Sequence, residues 1–199
     1  MHVMVTDHRK RPRRRGEALN AAIYQATLDE LAEVGYSGLT MERVAERARA
    51  SKASLYRRWP SRIELVMEAV YSSLPTPESS PDTGNFRDDL VAMLRRTAQA
   101  LSGPAGEAMR GLLGEALRNE SPLNAMRRSS QGAGRKMMEE IVRRAVERGE
   151  VDPGDVTARR LDAGQALLRH HFLFEGTPIP DSLVVEIVDE VLVPLLKRG

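Results

Sequence analysis

At 199 residues the chain can enclose one medium domain or a small and a larger one, and it holds no cysteine, which excludes a disulfide framework, thiolate metal sites and cysteine nucleophiles. Its net charge of +2 hides an asymmetry: residues 1–74 carry 13 Lys+Arg against 9 Asp+Glu and the remainder 17 against 19, so a polyanion-binding end is expected at the N-terminus. No apolar run approaches the roughly 20 residues that span a bilayer, and the opening MHVMVTDHRKRPRRR has no apolar segment behind its charges. A cytoplasmic protein without membrane contact is expected.

Strand signals are nearly absent, and helical spacing runs through the whole chain, predicting an all-α fold of about nine helices. Residues 1–16 read as a basic, disordered arm whose Arg13, Arg14 and Arg15 could reach along a minor groove or its phosphates. A first helix is predicted over about 17–34, with Ile23, Tyr24, Thr27, Leu28 and Leu31 on one face. Gly35 follows, where a left-handed residue ends a helix most easily. Thr40 can cap a second helix with Met41, Val44, Ala45 and Ala48 on its buried edge. After a turn at Arg49-Ala50, Ser51 caps a third, short helix. Its Leu55 and Trp59, four apart, point inward and leave Lys52, Ala53, Ser54, Tyr56, Arg57 and Arg58 largely outward. Pro60 ends that segment, and Ser61-Arg-Ile-Glu64 forms a capping box that opens a fourth helix to about Leu74.

Two short helices joined by a tight turn, the second presenting Lys, Ser, Tyr and Arg, can lay that face in the major groove, where arginine bridges guanine O6 and N7. The order Gly35-Tyr36, Leu39-Thr40-Met-Glu-Arg-Val-Ala-Glu-Arg-Ala48, Ser51-Lys-Ala-Ser-Leu-Tyr-Arg-Arg-Trp-Pro-Ser-Arg62 and Glu64-Leu65 resembles the DNA-binding domain of the TetR family of transcriptional regulators. The resemblance covers about residues 17–72. It implies a homodimer with one helix-turn-helix per subunit, a roughly palindromic operator on double-stranded DNA, and repression relieved by a small molecule in the C-terminal domain. By position it assigns Thr40, Tyr56, Ser61 and Arg62 to phosphates and Lys52, Ala53, Ser54, Arg57 and Arg58 to the groove. The chain departs from the family pattern at Arg49, where that pattern has glycine; a left-handed conformation there costs a residue with Cβ about 1–2 kcal/mol.

The segment Pro75–Asn85, with three prolines, reads as a linker between a DNA-binding domain over 17–74 and a ligand-binding and dimerisation domain over 86–199. Five helices are predicted there, at about 86–102, 105–119, 122–149, 155–175 and 181–197. Leu161, Gly164, Leu168 and Phe172 align on one, and Leu183, Ile187, Val191 and Leu195 on the last, where Pro194 should end or kink the helix. Packed against a two-fold mate, these pairs would make an intersubunit four-helix bundle. Met67, Val70, Met93, Leu94, Met109, Leu113, Met137 and Ile141 are the candidates for lining a pocket for an apolar effector.

Nothing in the sequence calls for a cofactor or a metal. His170 and His171 are adjacent and face about 100 degrees apart on a helix, and Glu139-Glu140 sits in a salt-rich helical surface. No HExxH, Gly-rich phosphate loop or His–Cys pairing supports an enzyme. The competing reading is a helical adaptor that uses its basic end for protein or membrane contacts.

Overall fold

Side-chain caps set most of the helix starts. The computed structural model describes residues 16–74, 76–116 and 133–197, and every regular element among them is helical. The expected arm residues Arg13, Arg14 and Arg15 lie outside the described residues, as does 117–132, where two of the predicted helices were to end and begin.

Helix α1 spans Glu17–Gly38, but its backbone leaves the helical region at Gly35 (φ 67°, ψ 177°), so the regular helix stops at Val34, where glycine best supplies the left-handed turn. Helices α2 (Met41–Arg47), α3 (Lys52–Arg58) and α4 (Arg62–Ser73) follow. Their caps are Thr40, Ser51 and Ser61, whose side chains accept from the backbone N–H of Arg43, Ser54 and Glu64. In the C-terminal part come α5 (Phe86–Leu101), α6 (Pro104–Ala116), α7 (Ala133–Glu147) and α8 (Ala158–Phe174). A last helix, α9, runs continuously through Asp181–Glu186, Ile187–Leu192 and Val193–Leu196.

Pro194 does not end α9. The Ile187–Leu192 stretch widens to π-helical turns, in which the N–H of Val193 reaches back to Val188 O. Proline has no N–H to give, and one wide turn before it lets the helix continue.

Residues 76–85 are tied to the helices that follow. They hold a 3₁₀ turn, Pro77–Ser79, and Thr83 donates its N–H and hydroxyl to the buried Asp89 at 2.6 and 2.9 Å. Arg144 of α7 reaches Ser80 Oγ at 2.7 Å and Pro81 O at 2.9 Å.

Two buried apolar clusters result. The first joins α1–α4 around Ile23, Leu31, Leu55, Trp59, Leu65 and Val70, and it takes in Ala105, Ala108 and Leu112 of α6. α6 therefore packs with the N-terminal helices although it lies beyond the proline-rich segment. The second cluster fills the space between α5, α7, α8 and α9, and the half-buried Met109 touches both.

This division bears on two expectations. The candidate pocket residues do not converge on one space: Met67 and Val70 lie in the first cluster, and Met93, Leu94, Met137 and Ile141 in the second. Met109 alone bridges them, and Leu113 is half-buried. Of the expected interface residues, Leu161, Leu168, Phe172 and Ile187 are buried in the chain's own core, so no second copy is needed to cover them. Gly164 gives close approach to Leu192 of the same chain; a Cβ there would sit 2.7 Å from Leu192 Cδ1. Leu183, Val191 and Leu195 are half-buried. The apolar side chains that α8 leaves outward are Leu167, Leu173 and Phe174, the last 77% exposed. Both sides of α8 carry apolar residues, and α9 takes the side that helical spacing marks most strongly.

Candidate nucleic-acid interface

The three short helices α2–α4 are held by a few charged contacts, and these decide which basic residues are left to meet a polyanion. Glu30, buried on α1, accepts from Arg43 Nε and Arg47 Nε of α2, both at 2.6 Å, and Glu33 adds a second carboxylate to both arginines. Burial alone would raise the Glu30 pKa; the hydrogen bonds and charge of the two guanidiniums outweigh it and hold the carboxyl below its ordinary value. The arginines of α2 therefore serve the frame.

The turn after α2 closes as a Schellman motif. Ala50 N–H bonds Ala45 O at 2.9 Å and Arg49 N–H bonds Glu46 O at 3.0 Å, with Arg49 in the left-handed region at φ 53°. The departure from glycine at this position thus costs backbone strain.

α3 starts at Ser51, whose hydroxyl accepts from Ser54 N–H at 3.2 Å. Leu55 and Trp59 are buried, while Lys52, Ala53, Tyr56 and Arg57 are exposed and Ser54 and Arg58 partly so. The outward residues differ in freedom. Lys52 Nζ lies 3.3 Å from Glu42 Oε1, and Arg58 folds back onto Ser54, donating to its carbonyl at 3.2 Å and to its hydroxyl. Among the described residues, Arg57 has no hydrogen-bond or ion-pair partner.

The end of α3 is anchored from below. Trp59 Nε1–H donates to Glu68 Oε2 at 2.7 Å, and Tyr24 OH donates to the same oxygen at 2.8 Å. The Tyr24 and Trp59 rings meet edge to face with centroids 5.6 Å apart. Burial, then the hydrogen bond and charge of Glu68, push the Tyr24 phenol up to about 12.

The capping box at α4 is formed in both directions, Ser61 Oγ accepting from Glu64 N–H and Glu64 Oε2 from Ser61 N–H, each at 3.3 Å. Thr40 is exposed and Ser61 half-exposed, each at a helix start where backbone N–H groups favour an anion. Arg62 is placed differently. Its guanidinium donates to Tyr36 O at 3.5 Å and Leu39 O at 3.3 Å, pairs with Glu115 Oε2 at 3.1 Å, and lies 4.6 Å over the Tyr36 ring.

Sequence reasoning found the caps, the turn and the buried pair on α3, because each is a pattern within a few residues. It missed Glu30, Glu68 and Glu115, whose partners stand 9 to 79 residues away. A lone carboxylate on a mixed helical surface carries no local signal of such a role.

Residues 23–69 match the family model described as bacterial regulatory proteins of the tetR family, and residues 80–191 match the tetracyclin repressor-like C-terminal domain. The chain is 34% identical over 190 residues to the DNA-binding transcriptional repressor TetR of Mycobacteroides abscessus, covering 93% of this chain and 97% of that one. It is 33% identical over 173 residues to an uncharacterized HTH-type transcriptional regulator of Mycobacterium tuberculosis, covering 87% of this chain and 85% of that one. The crystal structure of the TetR family transcription regulator SCO0332 superposes with a TM-score of 0.72 at 32% identity, covering 88% of this chain and 97% of that one. Such proteins regulate transcription and are not enzymes. The frame of α1–α4, the outward face of α3 and these matches agree: the chain belongs to the TetR family of DNA-binding transcriptional regulators.

Proposed function

We propose that the protein is a homodimeric repressor that binds a palindromic operator and releases it when a small molecule occupies the C-terminal helices. The observation that carries this reading is the outward face of α3, a Lys-Ala-Ser-Tyr-Arg-Arg surface on a helix whose buried side is fixed by Leu55 and Trp59. Lys52, Ala53, Ser54, Arg57 and Arg58 face bases in the major groove; Thr40, Tyr56 and Ser61 take phosphates and set the register. The Mycobacteroides abscessus relative is named a repressor, which supports that sign of regulation.

The second subunit meets the outward apolar side of α8, Leu167, Leu173 and Phe174, together with the half-buried Val191. An apolar effector acts where Met109 touches both clusters. Binding there shifts α4 and with it the separation of the two recognition helices, which mismatches both half-sites together.

Selection of bound sequences from a random DNA pool by the purified protein tests this. An inverted repeat with half-site centres one helical turn apart, about 34–36 Å, is expected, with Arg57→Ala relaxing the base preference at one position per half-site. Recovery of no consensus, or of one unrepeated half-site, overturns the proposal. Light scattering tests the dimer: Phe174→Glu should give a monomer where the parent chain gives a dimer.

A further inference from the structure

We infer that Arg62 positions the helix-turn-helix from inside the protein, clasping α6 to the start of α2, instead of gripping a DNA phosphate. This inference rests on the DNA-binding reading above and concerns how its frame is held.

Four groups converge at one place. Gly111 of α6 leaves a notch, since a Cβ built there would overlap the Tyr36 ring. Tyr36 fills the notch, and its hydroxyl donates to Glu115 one turn further along α6. The Arg62 guanidinium lies over that ring, 4.6 Å from its centroid, and pairs with the same Glu115 oxygen. Its second terminal nitrogen donates to the carbonyls of Tyr36 and Leu39.

Those two carbonyls matter because of where they stand in the chain. Thr40, four residues after Tyr36, is extended, so it does not continue a helix whose N–H would reach Tyr36 O. Leu39 is the residue before Thr40, the cap of α2. A guanidinium that holds both fixes the reversal between α1 and α2 and hence the direction in which α2, and α3 behind it, leave the frame. A planar fork can serve two carbonyls, a carboxylate and a ring face at once, and an ammonium cannot. Both terminal nitrogens of Arg62 are thereby engaged within the chain, and its partner Glu115 belongs to α6, the one helix beyond the proline-rich segment that, among the described residues, adds buried apolar side chains to the N-terminal cluster. Movement of α6 is transmitted to the start of α2 through this contact.

The test compares the full chain with Arg62→Lys, Arg62→Ala, Glu115→Ala and the Arg62→Lys/Glu115→Ala double variant in two measurements. The first is affinity for the selected DNA at several salt concentrations. The second is amide hydrogen exchange of the DNA-free protein, read over 36–58 and over α5. The clasp predicts that each single variant weakens binding about five- to twentyfold, and that the double variant is no worse than either single one. The salt slope should stay as it is, and exchange should quicken over 36–58 with α5 unchanged.

Parental affinity in Arg62→Lys, with a slope in Arg62→Ala lower by about 0.9, would make Arg62 a phosphate contact and overturn the inference. Unchanged exchange in Glu115→Ala, or quicker exchange in α5 as well, also overturns it. If the parent chain selects no DNA sequence, the DNA-binding reading fails on its own, and the exchange data still decide the clasp.

Discussion

Trp59 and Glu68 form the tie that holds the end of the recognition helix: the indole N–H, on a side chain almost wholly buried, donates to a carboxylate oxygen at 2.7 Å. The same oxygen receives Tyr24 from α1, so three helices meet on one atom. Without it, a buried N–H has no partner in protein, and α3 is free to tilt about Leu55. Glu68→Ala should lower stability by about 1–2 kcal/mol and weaken DNA binding. Because the chain has a single tryptophan, its fluorescence reports the change directly: urea titration should show an earlier midpoint and an altered native emission.

The Tyr24 phenol gives this contact a pH signature. Its folded value lies at about 12 against an ordinary 10.0, raised first by burial and then by Glu68. A group that holds its proton more tightly when folded contributes stability that is whole below its unfolded pKa and is lost as pH rises through the folded one. Stability should therefore fall between pH 10 and 12. Tyr24→Phe should flatten part of that fall, as measured by urea midpoints across the window; an unchanged pH slope would mean that this phenol does not contribute.

Arg49 occupies a left-handed position in a turn whose hydrogen bonds are all made. Arg49→Gly relieves the Cβ strain and gives back part of the gain as unfolded-chain entropy, for a net stabilisation of about 0.5–1 kcal/mol. A raised melting temperature in calorimetry is the expected result. A lowered one would show that the turn does not carry this strain.

Glu30 is the opposite case, a buried charge that must keep its partners. Its pKa is held below the ordinary value, so its contribution is whole above the unfolded carboxylate pKa and is lost as pH falls through the folded one. Glu30→Gln should cost about 2 kcal/mol near neutrality and should reduce the sensitivity of the fold to acid, as followed by circular dichroism.

How much of this was legible in the sequence depends on the range of each signal. Thr40, Ser51 and Ser61 announced their helices because a cap acts on residues two or three away, and Gly35 and Arg49 marked turns by their own backbone demands. The inward pair Leu55 and Trp59 followed from helical spacing alone. The faces of α8 and α9 were harder to read because apolar residues occur on more than one side, and spacing cannot say whether a neighbour in the same chain or a second copy covers them. The ties at Glu30, Glu68 and Glu115 depend on how helices cross, which no short window contains. The prolines of 75–85 pointed to a boundary, and the packing of α6 crosses it.

That crossing bears on how the protein can be taken apart. A fragment ending in the proline-rich segment would carry all four helices of the DNA-binding domain and yet expose the surface that Ala105, Ala108 and Leu112 cover. The portable reading head is discontinuous: α1–α4 together with α6. Grafting it onto the C-terminal helices of a relative requires moving both pieces, with Tyr36, Arg62, Gly111 and Glu115 kept as one matched set.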